Sequence, residues 1–313
     1  MLRRILKRIG LGLLIIVVMV AVIMRWFPQW LPADAPNPYA VLTPKPLRGG
    51  AYVVEGGLST TGFIIGDTGV IVIDTQMFAE MARNVQRQIA QITPNPVNLM
   101  ILTHSDPDHV NALPAYPRGL EIIAQEHTKS DILAELAHPR FFFSKPPAEI
   151  KNYLPTHLVQ DREELVRDGV RMVLLHVAPA HTDGDLVVYL PYQKMVFAGD
   201  ILTPTVGPYP GIHLEKRGSS LGWIKTIQAL LALDADLFVA GHGEPQTRAD
   251  LQRRLQAAVE RREQIVTLVA QHKTLEEVKA SFHDVKAKGI AGLFPTYTET
   301  TYLELTTAQP VNP

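Results

Sequence analysis

Residues 103–109 read T-H-S-D-P-D-H and supply four side chains that can bind a metal ion: His104, Asp106, Asp108 and His109. An apolar run at residues 97–102 comes directly before them and follows two prolines. A short apolar run bounded by turn-forming residues predicts a buried β-strand. A loop at a strand end is held by a rigid scaffold that can aim several ligands at one point. This stretch therefore predicts a metal site at the end of a strand.

Three downstream segments have the same arrangement, each after another apolar, strand-like run. They place His181 in A-H-T, Asp200 at the end of A-G-D, and His242 in A-G-H-G. Together with residues 103–109 they supply four His and three Asp. That number is enough for two metal ions that share a carboxylate.

The order of these ligands resembles that of the metallo-β-lactamase-fold superfamily, whose pattern is H-x-H-x-D-H, then a lone His, a lone Asp and a lone His. The run V-I-V-I-D-T at residues 70–75 is similar to the family's early strand that ends in Asp. The resemblance covers roughly residues 50 to 272. It implies an α+β fold, a four-layer αββα sandwich with the metals at one edge between two sheets. Asp200 at the shared position resembles the glyoxalase II and lactonase branch.

The resemblance also implies which residues hold which ion. The set assigned to a first ion is His104, Asp106 and His181. The set assigned to a second ion is Asp108, His109 and His242, with Asp200 as the bridge. Two divalent ions are therefore the expected cofactors, with zinc as the first choice and iron or manganese as alternatives. Ions placed in this way lower the pKa of a shared water and polarise a substrate carbonyl, so a metal-bound hydroxide is the expected nucleophile. Asp108 is also the candidate catalytic residue that takes or relays a proton.

Asp106 departs from the family pattern, which has its second His at this position. A carboxylate is a harder ligand than an imidazole, so Asp106 shifts the metal preference from zinc towards iron or manganese. Flavodiiron proteins of the superfamily carry a Glu at the same position. If Asp106 is a ligand, replacing it by His is expected to raise zinc affinity. The alternative is a decayed site that binds metal weakly or not at all.

Three functions are compatible with this site. The preferred one is a hydrolase that cleaves an ester, thioester or lactone of a small molecule, because it needs only the metal site and a water. The second is an iron-dependent oxidoreductase that resembles flavodiiron proteins or persulfide dioxygenases; the latter need one iron, which His104, His181 and Asp200 could hold. The third is a non-catalytic binding protein with a decayed site.

Composition excludes several other classes of protein. The 313 residues are 46% hydrophobic and 19% charged, which predicts a large packed core. A net charge of −1 does not favour a nucleic-acid partner. The chain has no cysteine, which excludes disulfides, a Cys nucleophile and a Cys-ligated zinc site. The oligomeric state is not predicted.

The first thirty residues predict a membrane anchor. Residues 1–10 carry four basic residues and no acid, and residues 9–24 are apolar without a charge. In a helix this apolar run spans roughly 24 Å, close to a hydrocarbon core. The basic flank and the poor cleavage context predict an uncleaved transmembrane segment at residues 1–30, anchored in the inner membrane with the catalytic domain on the periplasmic side. A cleaved signal peptide and a buried core helix are the alternatives.

The rest of the chain divides into a linker and one domain. Five prolines within residues 31–48 predict a semi-rigid linker, and residues 49–313 form the predicted metallo-β-lactamase-like domain. Apolar periodicity predicts helices at residues 77–92, 127–137, 222–233 and 248–272, and a further helix from Thr274. Short apolar runs predict strands at residues 51–55, 61–65, 70–74, 97–102, 121–124, 171–177, 186–190, 194–198 and 237–240.

A few other side chains are worth singling out. Asp74 is expected to orient the metal-binding loop by hydrogen bonds rather than to bind metal. Tyr209 and His213 follow Asp200 and are candidates for substrate binding or oxyanion stabilisation, or are surface-loop residues. His127 and His176 are interpreted as structural. The F-F-F run at residues 141–143 is a packed loop, or alternatively a lid or a membrane-facing patch.

Overall fold

The computed structural model describes residues 42–139, 145–203, 207–284, 292 and 294–307. Its first sheet has seven strands in chain order. They are β1 (Pro44–Pro46), β2 (Ala51–Val54), β3 (Thr61–Ile65), β4 (Val70–Ile73), β5 (Val97–Ile101), β6 (Glu121–Gln125) and β7 (His157–Val159). Strands β1 to β4 pair antiparallel, whereas β4 to β7 pair parallel.

The second sheet has six strands in the order β13-β12-β11-β10-β9-β8. They are β8 (Arg162–Arg167), β9 (Val170–Leu175), β10 (Val187–Leu190), β11 (Met195–Phe197), β12 (Leu237–Val239) and β13 (Gln246–Thr247). All neighbours pair antiparallel except β11 and β12, which are parallel.

Seven α-helices lie in the described part of the chain. They are α1 (Ala79–Ile92), α2 (Pro107–Val110), α3 (Glu126–Ala137), α4 (Ser220–Ala232), α5 (Arg248–Ala270), α6 (Leu275–Ser281) and α7 (Tyr297–Thr306). Helices α1, α2 and α3 form the crossovers between the parallel strands of the first sheet, and α4 connects β11 to β12. The last three helices each begin with a capping box, in which a Thr hydroxyl and an acidic side chain three residues later satisfy backbone N–H groups.

Three apolar layers hold these elements together, and β4 shows why. Its residues alternate between the two faces of the sheet, so Ile71 and Ile73 face the second sheet while Val70 and Val72 face the helices. Both faces are covered, which explains why β4 is apolar at every position. The layer between the sheets is one core, the first sheet with α1 and α3 is another, and the second sheet with α4 and α5 is the third. The order of layers is helix, sheet, sheet, helix.

Two sequence-based predictions need correction. The fold is mixed α/β with two sheets, not α+β, because β4 to β7 and the pair β11 and β12 are parallel and joined by helices. No helix within the described ranges is long and apolar enough to cross a membrane. The longest, α5, has 23 residues but carries charged side chains along much of its length. The predictions of a transmembrane helix, a membrane contact and an inner-membrane, periplasmic localisation therefore do not stand.

Some predicted segments lie outside the described residues. These are the proposed anchor at residues 1–30, most of the proline-rich linker, and the F-F-F run at residues 141–143. Pro38–Pro313 form one compact unit of the chain.

Candidate metal centre

The candidate ligands come from loops that the two sheets bring to one place. Strands β4 and β5 are parallel neighbours, so the loops after them start at the same edge of the first sheet. Strands β11 and β12 do the same in the second sheet, and these loops carry Asp200 and His242. The Leu186 amide donates to the Thr103 carbonyl over 2.6 Å, and the Thr60 amide to the Gly241 carbonyl over 2.7 Å. These bonds join the loops of the two sheets directly.

One group of ligand atoms contains His104, Asp106, His181 and Asp200. One atom from each of the four lies within 4.8 Å of the others. The Oδ2 atom of Asp106 is 3.1 Å from His181 Nε2 and 3.6 Å from His104 Nε2. All four residues are buried. This group is the set that the sequence assigned to the first ion, together with the assigned bridge.

A second group contains Asp108, His109 and His242. Pro107 opens the short helix α2, a position where its missing N–H costs nothing, and the next two residues supply ligand atoms. The Oδ2 atom of Asp108 is 3.3 Å from His242 Nε2 and 3.7 Å from His109 Nε2. The side chains of His242 and Asp108 are 31% and 24% exposed. The site therefore opens to solvent on the side of this second group.

Asp200 lies between the two groups. Its Oδ1 atom is 3.1 Å from His109 Nε2, and its Oδ2 atom is 3.3 Å from His242 Nε2. The same Oδ2 atom is 3.9 Å from the Nε2 atoms of both His104 and His181. Gly241 is needed for this placement, because a Cβ atom at that position would collide with Asp200 Oδ1. The carboxylate therefore faces both groups, as expected for a bridge.

Neighbouring polar groups fix the orientation of three imidazoles. The Nδ1 atom of His104 bonds Thr103 Oγ1 at 2.9 Å, and that of His181 bonds the Gly211 carbonyl at 3.0 Å. The Nδ1 atom of His109 bonds Asp74 Oδ2 at 2.8 Å. Each of these rings therefore turns its Nε2 atom towards the cluster, the arrangement typical of metal-binding histidines.

Asp74 orients this loop through several bonds. Besides His109, it accepts hydrogen bonds from the Thr103 amide at 2.8 Å and the Thr103 hydroxyl at 2.7 Å. Its backbone adopts a left-handed conformation with φ of 60°, which is rare for a residue other than glycine. Asp74 could itself join a group with His104 and His109, but both of its oxygens are already engaged. Its contacts are those that the sequence predicted.

Buried polar atoms without a hydrogen-bond partner indicate whether these residues can bind a metal ion. The buried Nε2 atom of His104 has no hydrogen-bond partner among the described residues, and His109 Nε2 and Asp200 Oδ1 lie 3.1 Å apart without forming a well-directed hydrogen bond. Buried polar atoms without partners are rare in native proteins. Imidazole nitrogens and carboxylate oxygens are also the donors that divalent transition metals take. The residues present therefore fit a divalent metal site.

Without an ion, the carboxylates and imidazoles of the cluster shift one another's pKa values. Burial alone lowers the pKa of His242, but Asp200 and Asp108 outweigh it and raise that pKa to about 10. Burial likewise opposes the effect of Asp106, which raises the pKa of His181 to about 9. Burial raises the pKa of Asp200, yet His242 and His109 hold it well below its usual value. The cluster thus combines ionised carboxylates with protonated imidazoles, whose protons a bound metal ion would displace to solvent.

Two residues of one loop contact Asp106, and sequence reasoning singled out only one of them. Lys216 donates from Nζ to Asp106 Oδ1 over 2.6 Å, and nothing in the sequence marked this lysine as different from others. The Nδ1 atom of His213 is 3.4 Å from Asp106 Oδ2. Burial lowers the pKa of His213 to about 4, against the opposing effect of Asp106, so the ring is neutral. Tyr209, the other candidate in this loop, stacks on Tyr297 of α7.

Comparison with known proteins agrees with this arrangement. The model of the metallo-beta-lactamase superfamily matches residues 54–242, which include all seven candidate ligands. The chain belongs to the metallo-β-lactamase superfamily. The sequence-based identification of the family is thus confirmed.

Curated members of this superfamily match part of the chain. The alpha subunit of 2,4-dinitroanisole O-demethylase from Nocardioides sp. is 31% identical over 203 residues, covering 64% of this chain and 57% of that protein. The linear primary-alkylsulfatase of a Pseudomonas species is 24% identical over 214 residues, covering 56% of this chain and 40% of that protein. The chain thus spans about half the length of the curated relatives it matches.

Solved structures share the fold at low sequence identity. The stereoselective inverting sec-alkylsulfatase Pisa1 from Pseudomonas sp. superposes with a TM-score of 0.68 at 18% identity, covering 87% of this chain and 51% of the other. A metallo-beta-lactamase from Pontibacter korlensis superposes with a TM-score of 0.58 at 19% identity, covering 69% of this chain and 98% of the other.

Proposed function

We propose that the chain is a metal-dependent hydrolase that cleaves an ester of a small molecule. The observation that carries the proposal is Asp200, whose carboxylate faces both groups of ligand atoms at once. When two divalent ions occupy such a site, they lower the pKa of water and act as Lewis acids on the substrate. Membership of the superfamily supports the same reaction type.

The chain's own residues then have distinct roles in this proposal. His104, Asp106 and His181 would hold one ion, Asp108, His109 and His242 would hold the other, and Asp200 would contribute to both. Asp108 lies on the open side of the site, 3.3 Å from His242 Nε2, where it can accept a proton from the attacking water. Burial raises the pKa of Asp108, but His109 and His242 lower it below its usual value, so the carboxylate is ionised and able to accept.

The substrate class is the finer part of the proposal. Two relatives are named as alkylsulfatases and one as an O-demethylase of a nitroaromatic methyl ether. An alkyl sulfate and an aryl methyl ether both carry a substituent on an oxygen atom. We therefore place sulfate esters and activated aryl ethers beside the carboxylic esters, thioesters and lactones that the sequence suggested.

Zinc is the proposed metal at both positions. The negative charge that Asp106 adds to the site favours iron over zinc. Lys216 lies 2.6 Å from that carboxylate and offsets its charge. Each ion would then have two imidazole nitrogens among its donors, and imidazole suits zinc well.

Metal-dependent turnover of a substrate panel tests the proposal. The full chain is stripped with a chelator, reconstituted with zinc, and assayed on a nitrophenyl acetate, an alkyl sulfate, a nitrophenyl sulfate, a thioester, a lactone and a nitroanisole. We expect the zinc form to hydrolyse at least one of them, the stripped form to be inactive, and Asp200→Asn to be inactive with zinc. Activity that survives chelation, or a zinc-loaded enzyme inactive on the whole panel, would overturn it.

A further inference from the structure

Lys216 is a buried lysine whose ammonium group donates all three of its hydrogen bonds to residues of the candidate metal centre. The residue is only 8% exposed. Its Nζ atom donates to Asp106 Oδ1 at 2.6 Å, to Ser105 Oγ at 3.1 Å and to the Ser105 carbonyl at 3.3 Å. An ammonium group has three N–H donors, so these three acceptors satisfy all of them. Lysine is almost never buried unless it is paired, and here the charged partner is a candidate ligand.

The local backbone holds Lys216 in this place. It ends a short 3-10 turn, Leu214–Lys216, whose last amide donates to the His213 carbonyl at 3.0 Å. The Lys216 carbonyl accepts from the Asp183 amide at 2.9 Å, and the His213 amide donates to the His181 carbonyl at 2.8 Å. These bonds tie the loop that carries Lys216 to the loop that carries His181.

The two oxygens of Asp106 are divided between two tasks. Oδ1 accepts the short bond from Lys216, while Oδ2 points to His181 Nε2 at 3.1 Å and His104 Nε2 at 3.6 Å. Only one oxygen therefore faces the space between the imidazoles. The carboxylate offers the cluster a single donor atom, as one nitrogen of a histidine would.

The formal charge of the site also equals that of a site with a histidine at position 106. The three ligand carboxylates carry a formal charge of −3 and Lys216 carries +1, so the candidate ligands together with Lys216 contribute −2. With a neutral histidine at position 106 and no buried lysine, Asp108 and Asp200 would contribute −2 as well. The pair therefore leaves the site with the charge it would have with a histidine.

We propose that Asp106 and Lys216 act as one neutral unit that replaces the family's second histidine, with Lys216 as the positioning residue on which metal binding at the first site depends. The proposal rests on the metal site of the proposed function, but it concerns metal affinity and not the reaction. It reverses the expectation from sequence, because Asp106→His alone leaves the buried ammonium of Lys216 without its counter-charge. An unpaired buried charge is strongly unfavourable, and two cations nearby make it more so.

A double-mutant cycle on zinc binding tests the pair. The wild type, Asp106→His, Lys216→Met and the double variant are prepared as full chains, and zinc affinity is measured by competition with a chromogenic chelator. We expect Asp106→His alone to weaken zinc at one site by at least about tenfold, the size typical of losing a supporting partner. Adding Lys216→Met to it is expected to recover most of that loss. Native mass spectrometry counts the ions bound by each variant.

Lys279→Met is the matched control, because Lys279 also pairs with a buried carboxylate, Glu299, at 3.0 Å. We expect it to leave zinc affinity unchanged. Metal-free Lys216→Met should melt at a lower temperature than metal-free Lys279→Met, because Asp106 Oδ1 loses its charged partner inside a buried site, whereas Glu299 keeps the Thr296 amide of its capping box. This second readout remains informative if Asp106→His does not fold.

Two results would overturn the inference. One is Asp106→His binding zinc as tightly as the wild type does, and the other is a double variant no better than that single variant. Both are distinct from failure of the proposed function, which is read from turnover of the substrate panel; a wild type that binds no metal would overturn both proposals.

Discussion

At the scale of single residues, side chains outside the seven candidate ligands hold the candidate metal centre in place. Asp74 illustrates this, because one carboxylate accepts from His109 Nδ1, the Thr103 amide and the Thr103 hydroxyl. It fixes both the ring that carries one donor nitrogen and the backbone directly before His104. Loss of one such oxygen loosens two ligands at once.

Asp74→Asn should therefore weaken zinc binding by about 10- to 100-fold without unfolding the chain. The amide keeps the shape of the side chain but offers one acceptor fewer to its three donors. Zinc affinity by chelator competition measures the effect. Asp284→Asn is the control, because Asp284 is a mostly buried carboxylate that pairs with Arg261 and Thr296 instead. Equal affinities of the wild type and Asp74→Asn would contradict the role given to Asp74.

Asp106 could be predicted as a site residue from the sequence, whereas Lys216 could not. The seven candidate ligands could be found because each follows an apolar strand in an order typical of one family. Lys216 is a single lysine in a loop, 110 residues from Asp106 in the chain. No local pattern distinguishes it from an exposed lysine, since only the folded chain brings the two together.

At the scale of elements, strands with two buried faces were predictable and edge strands were not. Strand β5 was expected at residues 97–102 and spans Val97–Ile101, because residues 99–101 form an apolar, buried run. Strand β8 was missed because it is an edge strand with the sequence R-E-E-L-V-R, in which only Leu165 is buried. Helix α2 was also missed, since four residues between two strands give no periodicity.

Helix α7 is tied to the start of α4, next to the loop that carries Lys216. Glu304 accepts from Ser219 Oγ at 2.7 Å and from the Ser220 amide at 2.9 Å. A carboxylate at a helix N-terminus is stabilised by the helix dipole and by unpaired N–H groups.

Glu304→Gln should lower the free energy of unfolding by about 1–2 kcal/mol, measured by urea denaturation. Glu276→Gln, an exposed pair with Lys279, should change it by less than about 0.5 kcal/mol; equal effects would contradict this account.

A histidine links the edges of the two sheets and makes stability depend on pH. His157 of β7 is 2.9 Å from Glu163 of β8 and 3.2 Å from Glu121 of β6. Burial lowers the pKa of His157, but the bonds to both glutamates outweigh it and raise that pKa. The stabilisation is therefore complete below the unfolded pKa, about 6.5, and is lost as pH rises through the higher folded value.

The free energy of unfolding should fall between pH 6 and pH 8 by less than about 1 kcal/mol from this group, since the pair is partly exposed. His157→Asn should remove that part of the pH dependence, and so should replacing both glutamates by glutamine. Urea denaturation at several pH values measures it. A pH dependence unchanged in His157→Asn would show that other groups cause it.

At the scale of the whole molecule, the candidate metal centre joins the two sheets. The loops after β4 and β5 supply one side, and the loops after β11 and β12 supply the other. Ions bound to both sides stabilise the folded chain by mass action, because the unfolded chain does not hold these ligands together.

Zinc should therefore raise the melting temperature of the metal-free chain in a concentration-dependent way. The expected stabilisation is about 2.7 kcal/mol when free zinc stands at 100 times its dissociation constant. Thermal unfolding monitored by fluorescence during a zinc titration gives the shift. Asp200→Asn should show a smaller shift, because it removes the carboxylate that faces both groups. If zinc does not change the melting temperature of the wild type, the predicted stabilisation by metal binding is wrong.

We propose that seven side chains from both sheets form a site for two divalent ions, with Asp200 shared between them. Native mass spectrometry of the full chain, stripped of metal and reconstituted with zinc, tests it most directly. We predict two ions per chain for the wild type and fewer than two for Asp200→Asn. A wild type that binds no zinc, or an Asp200→Asn variant that still binds two ions, would contradict the claim.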